Sequence, residues 1–226
     1  MARVSEREAR AVPDLEVQPA PAPVIPPIAD PAPLGLAAFA LTTFLLSAKN
    51  AAWTDGTDAW LGYALAYGGL VQLVAGMWEF RNRNVFGSTA FSTYGGFWIG
   101  LGIYVLLVAP TAASPVQVGN DLGWILLAFA IFNSYMLLWS TQVNMAVFTV
   151  FLTLEATEIL LCIGNFATNT ELVKVGGYLG IVTAAAAWYA SSAGVINGMN
   201  ERPVVPVGNK MTFGRSRTAG PMPYGD

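Results

Sequence analysis

The residues with chemistry to offer are few, and they sit in unusual company. Glu155 and Glu158 stand three apart, and Lys49 stands alone, in segments otherwise made of apolar residues. An ionisable group in such a place implies a charge pair or a carboxyl that binds and releases a proton. Around them are neutral hydroxyls and amides in similarly apolar surroundings: Thr42, Thr43, Gln72, Thr93, Tyr94, Asn133 and Asn165. Such groups solvate a ligand without gripping it. The chain has no histidine, so it offers no imidazole for haem, zinc or acid–base catalysis. Its one cysteine, Cys162, permits no internal disulfide or thiolate cluster and reads as an inert buried residue. No nucleophile–base pair and no metal cluster is available, so neither an enzyme nor a metal or cofactor protein is expected. A net charge of −3 without a basic stripe leaves no footprint for nucleic acid.

These residues must be positioned by long apolar elements. Of the 226 residues 54% are hydrophobic and only 11% charged, where a soluble domain carries about 25% charged residues. Asp30 and Lys49 bracket 18 uncharged residues, Asp58 and Glu79 bracket 20, and Lys174 and Glu201 bracket 26. Longer runs of 37 and 33 separate Arg83 from Asp121 and Asp121 from Glu155. Runs of about 18 or more apolar residues span membranes as helices. The expected fold is therefore all-α: a polytopic bundle of six transmembrane helices, in contact with the lipid bilayer, over residues 31–200. The spans are expected at about Leu34–Trp53, Ala59–Phe80, Ser88–Ala109, Leu122–Ser140, Val143–Gly164 and Val175–Gly198. The polar cluster Ser140, Thr141, Gln142 and Asn144 divides the fourth from the fifth. All 14 prolines avoid the helix interiors, with Pro110 and Pro115 expected between helices three and four. Flexible polar tails are expected at 1–30 and 201–226.

Nine Lys and Arg residues fall on the side of the two tails and the loop after helix two, against Lys49 and Lys174 opposite. This bias places both termini in the cytoplasm. Glu79, beside Arg81 and Arg83, reads as a surface ion pair at the interface. At about 1.5 Å per residue, Glu158 and Lys49 lie roughly 7 and 9 Å outward of their helix centres. They are at one depth, which permits Lys49 to pair with Glu158 or Glu155; the other reading has Lys49 reaching outward alone and the glutamates facing the bundle interior. Ala64 with Gly68, Gly96 with Gly100, Gly176 with Gly180 and Gly194 with Gly198 have helix-packing spacing, which serves the bundle itself or contacts between subunits.

Three ordered blocks resemble one family. The first is Asp30-Pro31-Ala32-Pro33-Leu34-Gly35-Leu36, followed by Phe39 and Thr42-Thr43. The second contains Tyr67-Gly68-Gly69, Gln72, Ala75-Gly76, Glu79, Asn84, Phe86-Gly87, Thr89-Ala90-Phe91, Tyr94-Gly95 and Phe97-Trp98; the third is Ile163-Gly164-Asn165. Together they are similar to the acetate uptake transporters, the succinate–acetate permeases, from about Asp30 to Glu201. The resemblance implies a six-helix protomer in a homohexamer, in the plasma membrane of a microbe. It implies passage of acetate, and in some members succinate, through each protomer as a proton-coupled carrier or a channel. It also implies a constriction of Phe39, Tyr94 and Leu154. Two features depart from the pattern. Asp30 replaces the family's asparagine, still a good cap for a helix start, and Glu155 and Glu158 occupy a stretch that is usually apolar.

That chemistry has a clear physical demand. Only about one short carboxylic acid molecule in 500 is neutral at pH 7, so an anion would have to enter a low-dielectric slab. Hydroxyls and amides ease that step, while an aromatic–aliphatic neck selects by size and resists hydrated ions by dewetting. Glu155 or Glu158 could then carry a coupling proton. Other readings are a membrane scaffold or sensory subunit with a vestigial pore and, less well matched to six spans, a retinal-type cofactor protein.

Overall fold

The computed structural model describes residues 28–57 and 59–211. Six helices are long and apolar enough to cross a membrane: α1 Ala32–Asn50, α2 Leu61–Arg81, α3 Val85–Thr111, α4 Pro115–Ser140, α5 Met145–Phe166 and α6 Thr170–Gly198. Five of the six starts, all but that of α2, are fixed by short polar side chains, the usual way to satisfy the free amides of a first turn. Asp30 Oδ1 accepts from Ala32 N–H at 3.0 Å, and Asn84 Oδ1 from Gly87 N–H at 3.0 Å. Ser114, Asn144 and Asn169 do the same for α4, α5 and α6. Three of the helices, α1, α2 and α5, are followed by a non-glycine residue in left-handed conformation, Ala52, Arg83 and Thr168.

Two starts lie earlier than the apolar runs imply. Helix α4 begins at Pro115, which occupies the first helical position where its missing N–H costs nothing. Asp121, expected as the edge of the span, lies inside α4, where its carboxylate accepts from Tyr104 Oη at 3.0 Å. Helix α6 likewise reaches back past Lys174 to its Asn169 cap. Within α2, residues Ala64–Val71 widen into π-helix, and Tyr104–Val108 do so near the end of α3.

Glycines set how closely the helices approach. A Cβ on Gly177 would lie 2.4 Å from Ala51 N of α1, and one on Gly95 2.7 Å from Leu73 N of α2. Gly68, Gly176, Gly180 and Gly194 also pack against neighbouring elements of the same chain, whereas Gly96, Gly100 and Gly198 have open space before them. The small-residue pairs thus serve chiefly the bundle itself, and Gly96 with Gly100 points away from it.

Glu79 is not the surface ion pair expected. It is fully buried at the terminal end of α2, and its Oε2 accepts from Asn82 Nδ2 at 3.0 Å. The helical turn that carries Arg81 outward carries Glu79 in. The C-terminal tail also departs from expectation over its first part. Asn197 Oδ1 accepts from Val204 and Val205 N–H at 2.7 and 2.8 Å, and Ala146 N–H donates to Val207 O at 2.9 Å. Met211 N–H donates to Thr141 O at 2.7 Å, and Tyr189 Oη bonds Pro206 O. Residues 204–211 therefore form a strap across the α4–α5 turn and α6. The tail expectations for 1–27 and for 212–226 lie outside the described residues.

Candidate functional site

Helices α1, α3 and α5 run in the same direction, and their halves farther from the chain termini spread around a cavity of about 280 Å³. This is room for several waters, ample for an acid of a few carbons. Its deepest lining residue on α1 is Phe39, on α3 Tyr94 and on α5 Leu154. All three are buried, and the Phe39 and Tyr94 rings meet edge to face with centroids 5.7 Å apart. They form the floor. Gly95 lets α3 close on α2 behind Tyr94, so the glycine following the tyrosine has a positional reason.

Below that floor the bundle is shut. Leu36, Phe91, Met136, Val150 and Phe151 join one buried cluster with the three floor residues. Phe86 and Phe151 pack edge to face at 5.1 Å. The helix-one motif lies at this closed end and helps brace it. Pro33 O accepts from Ser191 Oγ at 2.6 Å, the Pro33 ring fills the space before Gly194, and Gly35 faces the Phe91 ring. Gly35 N–H closes the first turn on Pro31 O at 3.1 Å, while Leu34 faces outward. Asp30 is exposed at this end and is not a cavity residue.

Of the polar residues singled out by type, the cavity gathers Thr43, Asn165, Lys49 and Glu158. Lys49 is exposed at the rim. It pairs with neither glutamate: Glu158 Oε2 has no hydrogen-bond partner, and both Glu155 oxygens accept from Asn133 and Ser134. Lys49 and Glu158 both face the cavity but at different heights: from the ends of α1 and α5, Lys49 lies about 12 Å and Glu158 about 4 Å outward of its helix centre, and both glutamates turn to polar partners of α3 and α4 instead. Asn165 spends an amide hydrogen on Leu161 O at 2.8 Å. Thr42, Gln72, Thr93, Asn133 and Glu155 are not cavity residues. Thr42 bonds Ala38 O within its own helix, Gln72 is enclosed between helices, and Thr93 is half-buried.

Asn133 lies behind the floor in a continuous polar chain. Its Nδ2 donates to Phe151 O at 3.0 Å and to Glu155 Oε2 at 2.7 Å, which leaves Oδ1 to accept from Tyr94 Oη at 3.0 Å. Tyr94 Oη is also 3.4 Å from Glu158 Oε1. Sequence reasoning missed Trp60 and Trp98, which both line the cavity and are nearly fully buried, with their indole N–H groups unpartnered within the protein. Trp98 follows Phe97 in the second motif block, a signal that went unused; Trp60 had none.

The GPR1/FUN34/yaaH family profile matches residues 14–209. The chain is 43% identical over 187 residues to accumulation of dyads protein 2 of Saccharomyces cerevisiae, covering 80% of this chain and 66% of that one. It is 41% identical over 195 residues to acetate permease A of Emericella nidulans, covering 79% and 65%. To the succinate-acetate/proton symporter SatP of Escherichia coli it is 33% identical over 181 residues, covering 80% and 96%. The chain thus spans slightly less than two thirds of these two fungal relatives and nearly all of the bacterial one. The solved structure of the bacterial acetate channel SatP superposes with a TM-score of 0.75 at 33% identity, over 80% of this chain and 99% of that one. A six-span multi-pass membrane bundle, its three motif blocks in order, and these matches agree: the chain belongs to the GPR1/FUN34/yaaH family, the acetate uptake transporters that include SatP and acetate permease A, a family of permeases and channels rather than enzymes.

Proposed function

We propose that this protein passes acetate and similar short carboxylates across the membrane through the centre of its bundle, coupled to protons. The observation that carries the reading is the cavity floored by Phe39, Tyr94 and Leu154. An acid enters from the side opposite the chain termini, past Lys49 at the rim, and meets Thr43 and Asn165 hydroxyl and amide groups. A narrow apolar floor then favours a small molecule that can shed its hydration. Relatives described as an acetate permease and a succinate-acetate/proton symporter support the substrate class and the proton coupling. The Lys and Arg distribution supports cytoplasmic termini in a plasma membrane, and the family resemblance supports a homohexamer; mass measurement in mild detergent checks the assembly.

Uptake of radiolabelled acetate into liposomes containing only this protein tests the proposal. Uptake above that of empty liposomes, raised by an imposed pH gradient, is expected. Absence of uptake under that gradient overturns it in favour of a scaffold or sensory subunit. The neck has its own test: Leu154→Ala should admit bulkier carboxylates several-fold faster relative to acetate, and an unchanged ratio removes Leu154 from the constriction.

A further inference from the structure

The polar chain behind the neck has a proton-counting consequence. Asn133 spends both amide hydrogens, on Phe151 O and on Glu155 Oε2, so its Oδ1 can only face Tyr94. Tyr94 has one hydroxyl hydrogen and two acceptors beside it, Asn133 Oδ1 at 3.0 Å and Glu158 Oε1 at 3.4 Å. All four residues except Glu155 are at least nine-tenths buried, and Glu158 Oε2 has no partner. An unsatisfied buried acceptor is costly, so which of the two acceptors receives the single Tyr94 hydrogen depends on whether Glu158 itself carries a proton.

With a proton on Glu158, the acid O–H donates to Tyr94 Oη, and Tyr94 donates onward to Asn133. With that proton released to the cavity, the carboxylate attracts the Tyr94 hydrogen, and Asn133 Oδ1 loses its donor. We propose that Asn133 is a positioning residue of the neck, holding the Tyr94 hydroxyl in the first orientation, and that the proton on Glu158 selects between the two. Through Tyr94, a floor residue, the protonation state of a carboxyl is thereby written into the narrowest part of the path. Its transport consequence rests on the carboxylate reading above; its geometry does not.

The groups around Glu158 are few. Tyr94 faces it from α3, Lys49 of α1 shares its cavity, and Glu155 lies one turn back on α5. Tyr135 of α4 stands beyond Phe132, its ring 5.1 Å from that of Phe132, which packs on Tyr94 at 5.5 Å. The cavity residues of α4 and α6, Val118, Leu122, Ile125, Leu126 and Val173, carry no titratable group. Among the described residues that line the cavity, the ionisable ones are Lys49, Tyr94 and Glu158.

Infrared difference titration of the purified full-length protein, without substrate, reads the switch directly. Tyr94→Phe identifies the tyrosine band. In the unsubstituted protein the loss of a protonated-carboxyl band and the shift of that tyrosine band should occur in one step. Glu158→Gln, whose amide donates to Tyr94 as the neutral acid would, should remove the carboxyl band and lock the tyrosine band at its acid position at every pH. Asn133→Leu should keep the carboxyl step and lose the tyrosine shift. A tyrosine shift surviving in Glu158→Gln overturns the proposal, whether or not Asn133→Leu folds. Acetate uptake, divided by the neutral fraction of the acid, should vary with external pH in the parent and lie flat in Glu158→Gln; the parent's profile persisting there also overturns it. A parent that takes up no acetate removes the carboxylate reading alone, and the infrared result still decides the switch.

Discussion

On the side of the Phe39–Tyr94–Leu154 floor nearer the chain termini, Leu36, Phe91, Val150 and Phe151 join one buried cluster, with Gly35 against the Phe91 ring and Phe86 edge to face with Phe151. On the far side, Phe97, Leu101, Leu122 and Leu126 stand back around open volume, and the polar side chains Ser47, Asn50, Thr157 and Asn165 come between them. The two halves are cut from the same six helices. In the closed half Ala90, Ala187 and Ala190 share one buried cluster with Phe91 and Phe151, and Gly35 meets the Phe91 ring, whereas in the open half Phe97, Trp98, Leu101 and Leu122 line a cavity. What separates the halves is whether the side chains fill the space between the helices.

That contrast is easiest to break with truncations of similar chemistry. Phe151→Ala should cost about 3–5 kcal/mol, because the packed half cannot relax into the space left. Leu126→Ala, at the wall of an existing cavity, should cost less than half as much, since few neighbours lose contacts. Unfolding midpoints in detergent measure both, and equal costs would mean that the two halves are equally well packed. A smaller effect sharpens the closed half at its rim: Tyr189→Phe removes the hydroxyl bonded to Pro206 O, a loss of about 1 kcal/mol. Faster proteolysis of the strap at residues 204–211, with the helices intact, is the expected readout. The smallest effect lies at the open end. Ala52→Gly relieves a left-handed backbone at the close of α1 and should raise stability by up to about 1 kcal/mol. A loss there would show that the turn is held by contacts of the Ala52 side chain.

Much of this arrangement could be read from residue order. Apolar runs between charges located six spans, but not their starts: Asn84, Asn144 and Asn169 cap helices expected to begin at Ser88, Val143 and Val175. The motif blocks pointed to Phe39 and Tyr94, and the family resemblance without a local motif to Leu154; the three share one buried cluster. Direction around a helix axis was harder to read. Glu79 was taken for a surface group because Arg81 and Arg83 are its neighbours in sequence, yet its contact is Asn82, one turn on. Lys49 and Glu158 face one cavity yet do not pair, because the centres of α1 and α5 lie about two residues from those expected, in opposite directions, and the shared depth is lost. The π-helical stretches of α2 and α3 depend on a shift in backbone pairing that no side chain announces. Asn133 was read by type as part of the path; only its three bonds disclose that it stands behind the wall.

The strap bears on how the polypeptide matures. Ala146, opening α5, finds the acceptor for its amide in Val207, 61 positions further along. During synthesis α5 must enter the bilayer with that amide still exposed, and the base of the bundle is completed only once residues 204–211 have left the ribosome. Cutting the chain before residue 204 would remove the links to both Ala146 and Thr141 and leave that base uncovered.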